Sequence, residues 1–171
     1  MARLIKDRAI VDDQWVLLRE PVDAQALRDL DGQDVILPLQ SWLELREGLP
    51  LRQGRTGVWL KNIELPESIA PWLAHIPLIA LDFPVFTDGR AYSSARELRQ
   101  NLAYAGELRA IGDVLCDQLF YMSRCGFNAF AMRADQNLDA AACRFQDFQD
   151  AYQASVLNPV PLFRRRTSTN G

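Results

Sequence analysis

A mainly parallel α/β sheet is the fold class this sequence predicts, and three observations predict it. Strand-length apolar segments alternate with short helix-like segments, the connections between them are brief, and Pro77-Leu78-Ile79-Ala80-Leu81 is apolar without interruption. An unbroken apolar run of that length is the mark of a strand covered on both faces, which parallel sheets require. About five strands alternating with helices are expected, doubly wound or rolled into a half-barrel, with an N-terminal β-hairpin or arm.

Each element has its own signal. Residues 3–20 hold two extended runs, Leu4-Ile5 and Trp15-Val16-Leu17-Leu18, separated by the polar Asp12-Asp13, and read as the hairpin or arm. A linker or short helix follows through Asp29. Asp34-Val35-Ile36-Leu37-Pro38 is a strand, and Ser41-Trp42-Leu43-Glu44 has the capping-box pattern of a helix that ends near Gly48. Gly57-Val58-Trp59-Leu60 is the next strand, and residues 66–74 form a short helix limited by Pro71. The apolar strand of residues 77–81 stops at Asp82-Phe83-Pro84. Ser94-Ala95-Arg96-Glu97 is a second capping box, opening a helix that carries Leu98 and Leu102 on one face.

After Gly106, Glu107-Leu108-Arg109-Ala110-Ile111 reads as a strand and Asp113 as the N-cap of a helix that Gly126 terminates. Residues 128–133 form the last strand. Leu138, Ala141, Phe145, Phe148 and Tyr152 follow helical spacing before Pro159 and Pro161 break the chain. The expected organisation is an N-terminal arm or hairpin over 1–33, an α/β domain over 34–158, and a disordered Pro- and Arg-rich tail over 159–171.

Composition narrows the function classes. With 171 residues, 49% of them hydrophobic, the chain can bury a core without disulfides. No apolar run approaches the ~20 residues a membrane span needs. No charged-then-apolar N-terminal segment is present, so the cytoplasm is the expected compartment. Cys116, Cys125 and Cys143 lack a C-x-x-C pair and His75 is the single histidine, so neither a zinc cage nor a protein-held cluster is expected. No Gly-rich phosphate loop or dinucleotide fingerprint occurs, and no cofactor is evident. The net charge is −3 although Arg164, Arg165 and Arg166 sit in the tail, so the body is more acidic still and is no platform for nucleic acid.

In α/β folds ligands gather beyond the carboxyl ends of the strands. Three polar clusters are expected on that rim: Asp82 with the loop Phe86-Thr87-Asp88-Gly89-Arg90-Ala91-Tyr92-Ser93-Ser94, Arg109 with Gly112-Asp113, and Arg133 with Asp135. Helix-start N–H groups, the hydroxyls of Ser93 and Ser94, and the guanidiniums of Arg90 and Arg96 together suit an anion such as sulfate, sulfite or phosphate. Each residue also has an ordinary role: Asp88-Gly89 is a turn dipeptide, Ser94 a cap, and Arg90 a partner for Asp82 or Asp88. Arg109, on a strand covered on both faces, demands a carboxylate or a ligand, and Asp82 or Asp113 would serve. Asp113 and Asp117 are four apart, as either paired acid–base carboxylates or a cap and a surface charge.

Asp82-Phe83-Pro84, Phe86-Thr87-Asp88-Gly89-Arg90-Ala91-Tyr92-Ser93, Gly106-Glu107-Leu108-Arg109-Ala110-Ile111-Gly112-Asp113, Asp117-Gln118-Leu119-Phe120 and Arg124-Cys125-Gly126-Phe127, in this order, carry a resemblance. The chain resembles a bacterial family of unknown function whose members are labelled oxidoreductases involved in sulfite reduction and are encoded beside sulfite reductase and other sulfate-assimilation genes. The resemblance implies a pathway and a partner, sulfite reductase or its electron donor, and brings no catalytic residues with it. Without a redox motif of its own, such a chain depends on a partner for electron transfer. Two expectations follow: an accessory protein supporting sulfite reductase or electron delivery, and a small enzyme or sensor that binds a sulfur oxyanion or phosphorylated metabolite at the rim.

Overall fold

Eight strands, rather than about five, join one sheet in the computed structural model, which describes residues 2–147. In chain order they are β1 (Arg3–Lys6), β2 (Ala9–Asp12), β3 (Trp15–Leu17), β4 (Asp34–Pro38), β5 (Thr56–Leu60), β6 (Leu78–Phe83), β7 (Glu107–Gly112) and β8 (Ala129–Phe130). The helices are α1 (Ala24–Asp29), α2 (Leu39–Leu45), α3 (Arg90–Arg96), α4 (Leu119–Cys125) and α5 (Leu138–Asp147), with a 3₁₀ helix over Pro66–His75 between β5 and β6. Phe148, Tyr152 and the tail expected over 159–171 lie outside the described residues. No helix among the described residues is long and apolar enough to cross a membrane.

The strand order is β2-β1-β8-β7-β6-β5-β4-β3, so β2 and β3 are the two edges. They are also consecutive in the chain, separated only by Asp13 and Gln14. Held flat, eight strands would put the edges ~34 Å apart. Three extended residue steps from Asp12 to Trp15 reach at most about 11 Å. The sheet must therefore curl until its edges converge on Asp13 and Gln14, and the expected half-barrel is the form adopted. From β3 to β8 every strand lies parallel to its predecessor and beside it. That order never reverses, so the doubly wound alternative is excluded, and right-handed crossovers place the helices on one face.

Period-two alternation then separates two apolar layers. Val58, Ile79, Leu81 and Leu108 face outward against Trp42, Leu98 and Met122 of the helical layer. Ile36, Trp59, Leu78, Ala80 and Ile111 fill the inside of the curl, with Trp15 and Leu17 packed against them. The indole N–H of Trp59 donates to the Leu18 carbonyl at 2.9 Å, tying β5 to the far end of β3 across this interior. Gly57 is small for a local reason: a Cβ there would stand 2.8 Å from the Leu78 carbonyl oxygen and 3.2 Å from its side chain.

Several sequence expectations change partners. A hairpin forms at the N-terminus, but between β1 and β2, through Asp7 and Arg8 with φ of 48° and 68°, the left-handed pair that a two-residue hairpin turn favours. Trp15–Leu17 instead pairs in parallel with β4. The capping box at Ser41 does not form. Pro38 ends β4 and α2 begins at once, so Ser41 falls inside the helix, where its buried hydroxyl accepts from the Val22 N–H at 2.9 Å. Ser94 is likewise internal, because the Asp88 carboxylate accepts the Arg90 N–H at 3.1 Å and α3 already begins at Arg90. Asp113 is not a helix cap, since the next helical turn begins only at Cys116. The last strand shrinks to two residues, and Gly126 terminates α4 with φ 115° as expected.

Arg109 is 3% exposed and faces the N-terminal end of the interior, away from Asp82 and Asp113. Its guanidinium meets the Glu107 carboxylate at 2.7 Å and the Asp13 carboxylate at 3.0 Å, and Lys6 adds a second cation to Glu107 at 2.8 Å. Removing one partner from a buried ionic cluster leaves the others unpaired in low dielectric. Arg109→Ala is therefore expected to lower the unfolding free energy by about 3–5 kcal/mol in urea denaturation. A loss below about 1 kcal/mol would show that the cluster is solvated like a surface pair.

Candidate functional site

The carboxyl ends of β3 to β8 form the rim on which the sequence placed its candidate residues. Five of them meet there in pairs. Asp82, the inward-facing residue near the end of β6, accepts from Arg19 at 2.7 Å, and the Arg19 guanidinium lies over the Trp59 ring, 5.2 Å from its centroid. Asp88 and Arg90 pair at 2.6 Å. Arg133 bridges Asp113 at 2.7 Å and Asp135 at 2.6 Å. The remaining candidates lie elsewhere. Ser93 and Ser94 are within α3, Arg96 rests on the Tyr121 ring of the helical layer and donates to its hydroxyl at 3.2 Å, and Arg109 is in the buried cluster.

The rim is built by loops that are fastened to one another. Gly112 has φ 91°, and a Cβ there would stand 2.4 Å from the Phe83 carbonyl oxygen, so only glycine turns the chain tightly enough to bring Asp113 against β6. The Asp113 N–H donates to that same carbonyl at 2.7 Å. Its carboxylate in turn accepts the Phe86 N–H at 2.9 Å, and the Phe86 carbonyl accepts from the Gln118 amide at 2.9 Å. The amide of Asn62, in the loop after β5, donates to Asp88 at 2.5 Å. That loop is closed on itself by the Glu64 carboxylate, which accepts the Lys61 N–H at 2.7 Å.

Charge at the rim is matched locally. Hydrogen bonds from the Arg90 side chain hold the Asp88 carboxyl well below the usual carboxylate range, with the Arg90 N–H and Asn62 adding to the effect. Asp135 is lowered chiefly by Arg133, and Arg133 is raised by Asp135 and Asp113. These groups are open to water, so their pairing fixes loop geometry more than it adds to global stability. What the rim leaves uncompensated is apolar. Ile63 and Leu65 in the loop after β5 are 68% and 66% exposed, and Val85 and Phe86 in the loop after β6 are 51% and 52% exposed.

Sequence reading missed Arg19, Trp59, Asn62 and the apolar tips. Arg19 would have been found had Trp15-Val16-Leu17 been read as a strand parallel to the others, because it then follows a strand terminus like every other rim residue.

Fold and rim together define a curled, mainly parallel α/β domain with a charge-paired, apolar-tipped C-terminal edge. Residues 57–163 match the family described as bacterial protein of unknown function (DUF934), and the chain belongs to that family. The match begins in β5 and takes in Asp82, Asp88, Asp113 and Arg133, whereas Arg19 precedes it. No curated protein matches the chain.

A depressed carboxyl in the folded state contributes stability above its unfolded pKa and loses it as pH falls through the folded value. The fastening through Asp88 is thus expected to be intact above the ordinary value of 3.8 and to weaken only in more acidic solution. Carbon-13 NMR of the Asp88 carboxyl checks this. A midpoint at or above the ordinary value would show that the Arg90 and Asn62 bonds do not hold in solution.

Proposed function

We propose that this protein is an accessory factor of assimilatory sulfate and sulfite reduction, docking through its C-terminal rim on sulfite reductase or its electron donor. The resemblance to proteins labelled for sulfite reduction, which runs from about Val35 to Tyr152, supports the pathway. The state of Phe86 supports the docking mode, and it is the observation that carries the reading. Both backbone groups of this residue are fixed by hydrogen bonds to Asp113 and Gln118, while its ring stands half in water.

A loop that is immobilised with an aromatic side chain outward is pre-organised for a protein surface, because the ordering cost of its backbone is met before binding. Ile63, Leu65 and Val85 extend the apolar area, and the loops bearing them are joined by the Asn62–Asp88 bond. Exposed aromatic anchors among energetically neutral polar contacts are how protein interfaces concentrate affinity. Anion capture at the same rim has less support. Arg19, Arg90 and Arg133 are each matched to a carboxylate, so a sulfur oxyanion would have to displace one.

Tagged full-length protein is expected to retain sulfite reductase or its electron donor from cells that make both. Phe86→Asp is expected to abolish retention while leaving stability within about 0.5 kcal/mol, as for other surface substitutions. In a deletion strain, growth is expected to be rescued by sulfide and not by sulfite. Normal growth on sulfate, sulfite and sulfide alike would overturn the pathway, and retention unchanged in Phe86→Asp would overturn the docking mode.

A further inference from the structure

At the opposite end of the strands from the rim, a cleft of about 720 Å³ opens between the end of α2 and the 3₁₀ helix that precedes β6. Its size lies in the range of about 300–1,000 Å³ typical of small-molecule sites. We propose that this cleft binds a small amphipathic acid, an apolar body carrying one carboxylate.

The apolar half of the site is aromatic. Trp42 and Trp72 line the cleft with their rings edge to face, 5.8 Å apart at 61°, and Leu49, Pro50 and Pro77 extend the same lining. Trp42 is buried in the outer core and therefore rigid, while Trp72 is half-buried. Paired indoles held in place by the core and by Arg46 give the cleft a fixed apolar wall, so little further entropy is lost when an apolar ligand packs against it.

The polar half is Arg46, at the C-terminal end of α2. Its guanidinium donates to the Leu43 carbonyl and stands 5.2 Å from the centroid of the Trp72 ring. Among the described residues no carboxylate lies within ion-pair distance of it, in contrast to Arg19, Arg55, Arg90, Arg109 and Arg133. Arg55 also lines the cleft, but its charge is met by Asp34 at 2.5 Å. Arg46 is half-buried with donors to spare, and a carboxylate is the complement its planar fork favours.

Two neighbours narrow the class further. The face of Trp72 is already occupied by Arg46, so the indoles do not form a cage for a cationic ligand. Glu47 and His75 are both exposed on the same lining, and Glu47 opposes a second negative charge placed beside Arg46.

The test uses the full-length protein with two probes of one shape, naphthoate and its uncharged amide, naphthamide, followed by quenching of tryptophan fluorescence. Saturable binding of both is expected, with naphthoate tighter by roughly tenfold, the scale of one hydrogen-bonded charge pair. The gap is expected to shrink as salt is raised. Arg46→Gln should abolish the gap and leave naphthamide affinity unchanged, and Trp72→Ala should weaken both probes. Failure of either probe to saturate at millimolar concentration, equal affinity for the two, or a gap that survives in folded Arg46→Gln would overturn the proposal. Should Arg46→Gln fail to fold, the wild-type gap and its salt dependence decide. Phe86→Asp should bind naphthoate normally, which separates this site from docking at the rim.

Discussion

The ion cluster of Arg109, Glu107 and Asp13 holds the sheet to its curvature. Asp13 stands where the edges converge, 96 residues away from Arg109 in sequence, and the two meet inside the curl. A sheet twists without help, but twist alone does not bring a first and an eighth strand together. Here the convergence rests on a short connection and on a buried cation with carboxylates from both sides. Such clusters are expensive to desolvate and gain little against an apolar replacement, so their value lies in specifying one arrangement. Leu78, Ala80 and Ile111 are compatible with many degrees of curvature; a guanidinium that must reach two carboxylates is compatible with few.

The two ends of the strands solve different problems with the same residue types. At the N-terminal end, arginine and carboxylate are buried and set the shape of the fold. Along the rim they lie in water, where each pair is weak, and act as fasteners for loops whose apolar tips project. Loops usually earn their mobility by lacking such bonds. The loops after β5 and β6 are tied to one another through Asn62 and Asp88, and the second of them is tied to the Asp113 turn, so the apolar tips keep a fixed relation to the strands beneath.

Much of this was legible in the sequence, for identifiable reasons. The strand at Asp34–Pro38 matches its expected limits, and β5, β6 and β7 lie within a residue or two of theirs, because an apolar run bounded by turn residues leaves few alternatives. Local patterns misled where a neighbour intervened. Ser41 and Ser94 both head sequences suited to a capping box, yet Pro38 and Asp88 began the helices earlier, and the serines were carried inside. At the rim, Asp82, Asp88, Arg90, Asp113 and Arg133 were recognised from their place after strands. Their partners were recognised only within a few residues. Arg19 reaches Asp82 across 63 positions, and Asp13 reaches Arg109 across 96, distances at which residue patterning carries no information.

The pairing of β1 with β8 joins Ile5 to Phe130 and Lys6 to Ala129. A ribosome releases the first of these residues long before the last. The N-terminal hairpin thus emerges with its open strand facing no partner, and the interior charge of Asp13 waits for Arg109. Contacts of such long sequence separation make loop closure costly and folding slow. Throughout synthesis the nascent chain would expose an unpaired β edge, the kind of surface that invites association with other chains. Production of the protein in the cell is accordingly a task in which the emergence of β8, and not that of any earlier segment, marks the moment at which the sheet can be assembled.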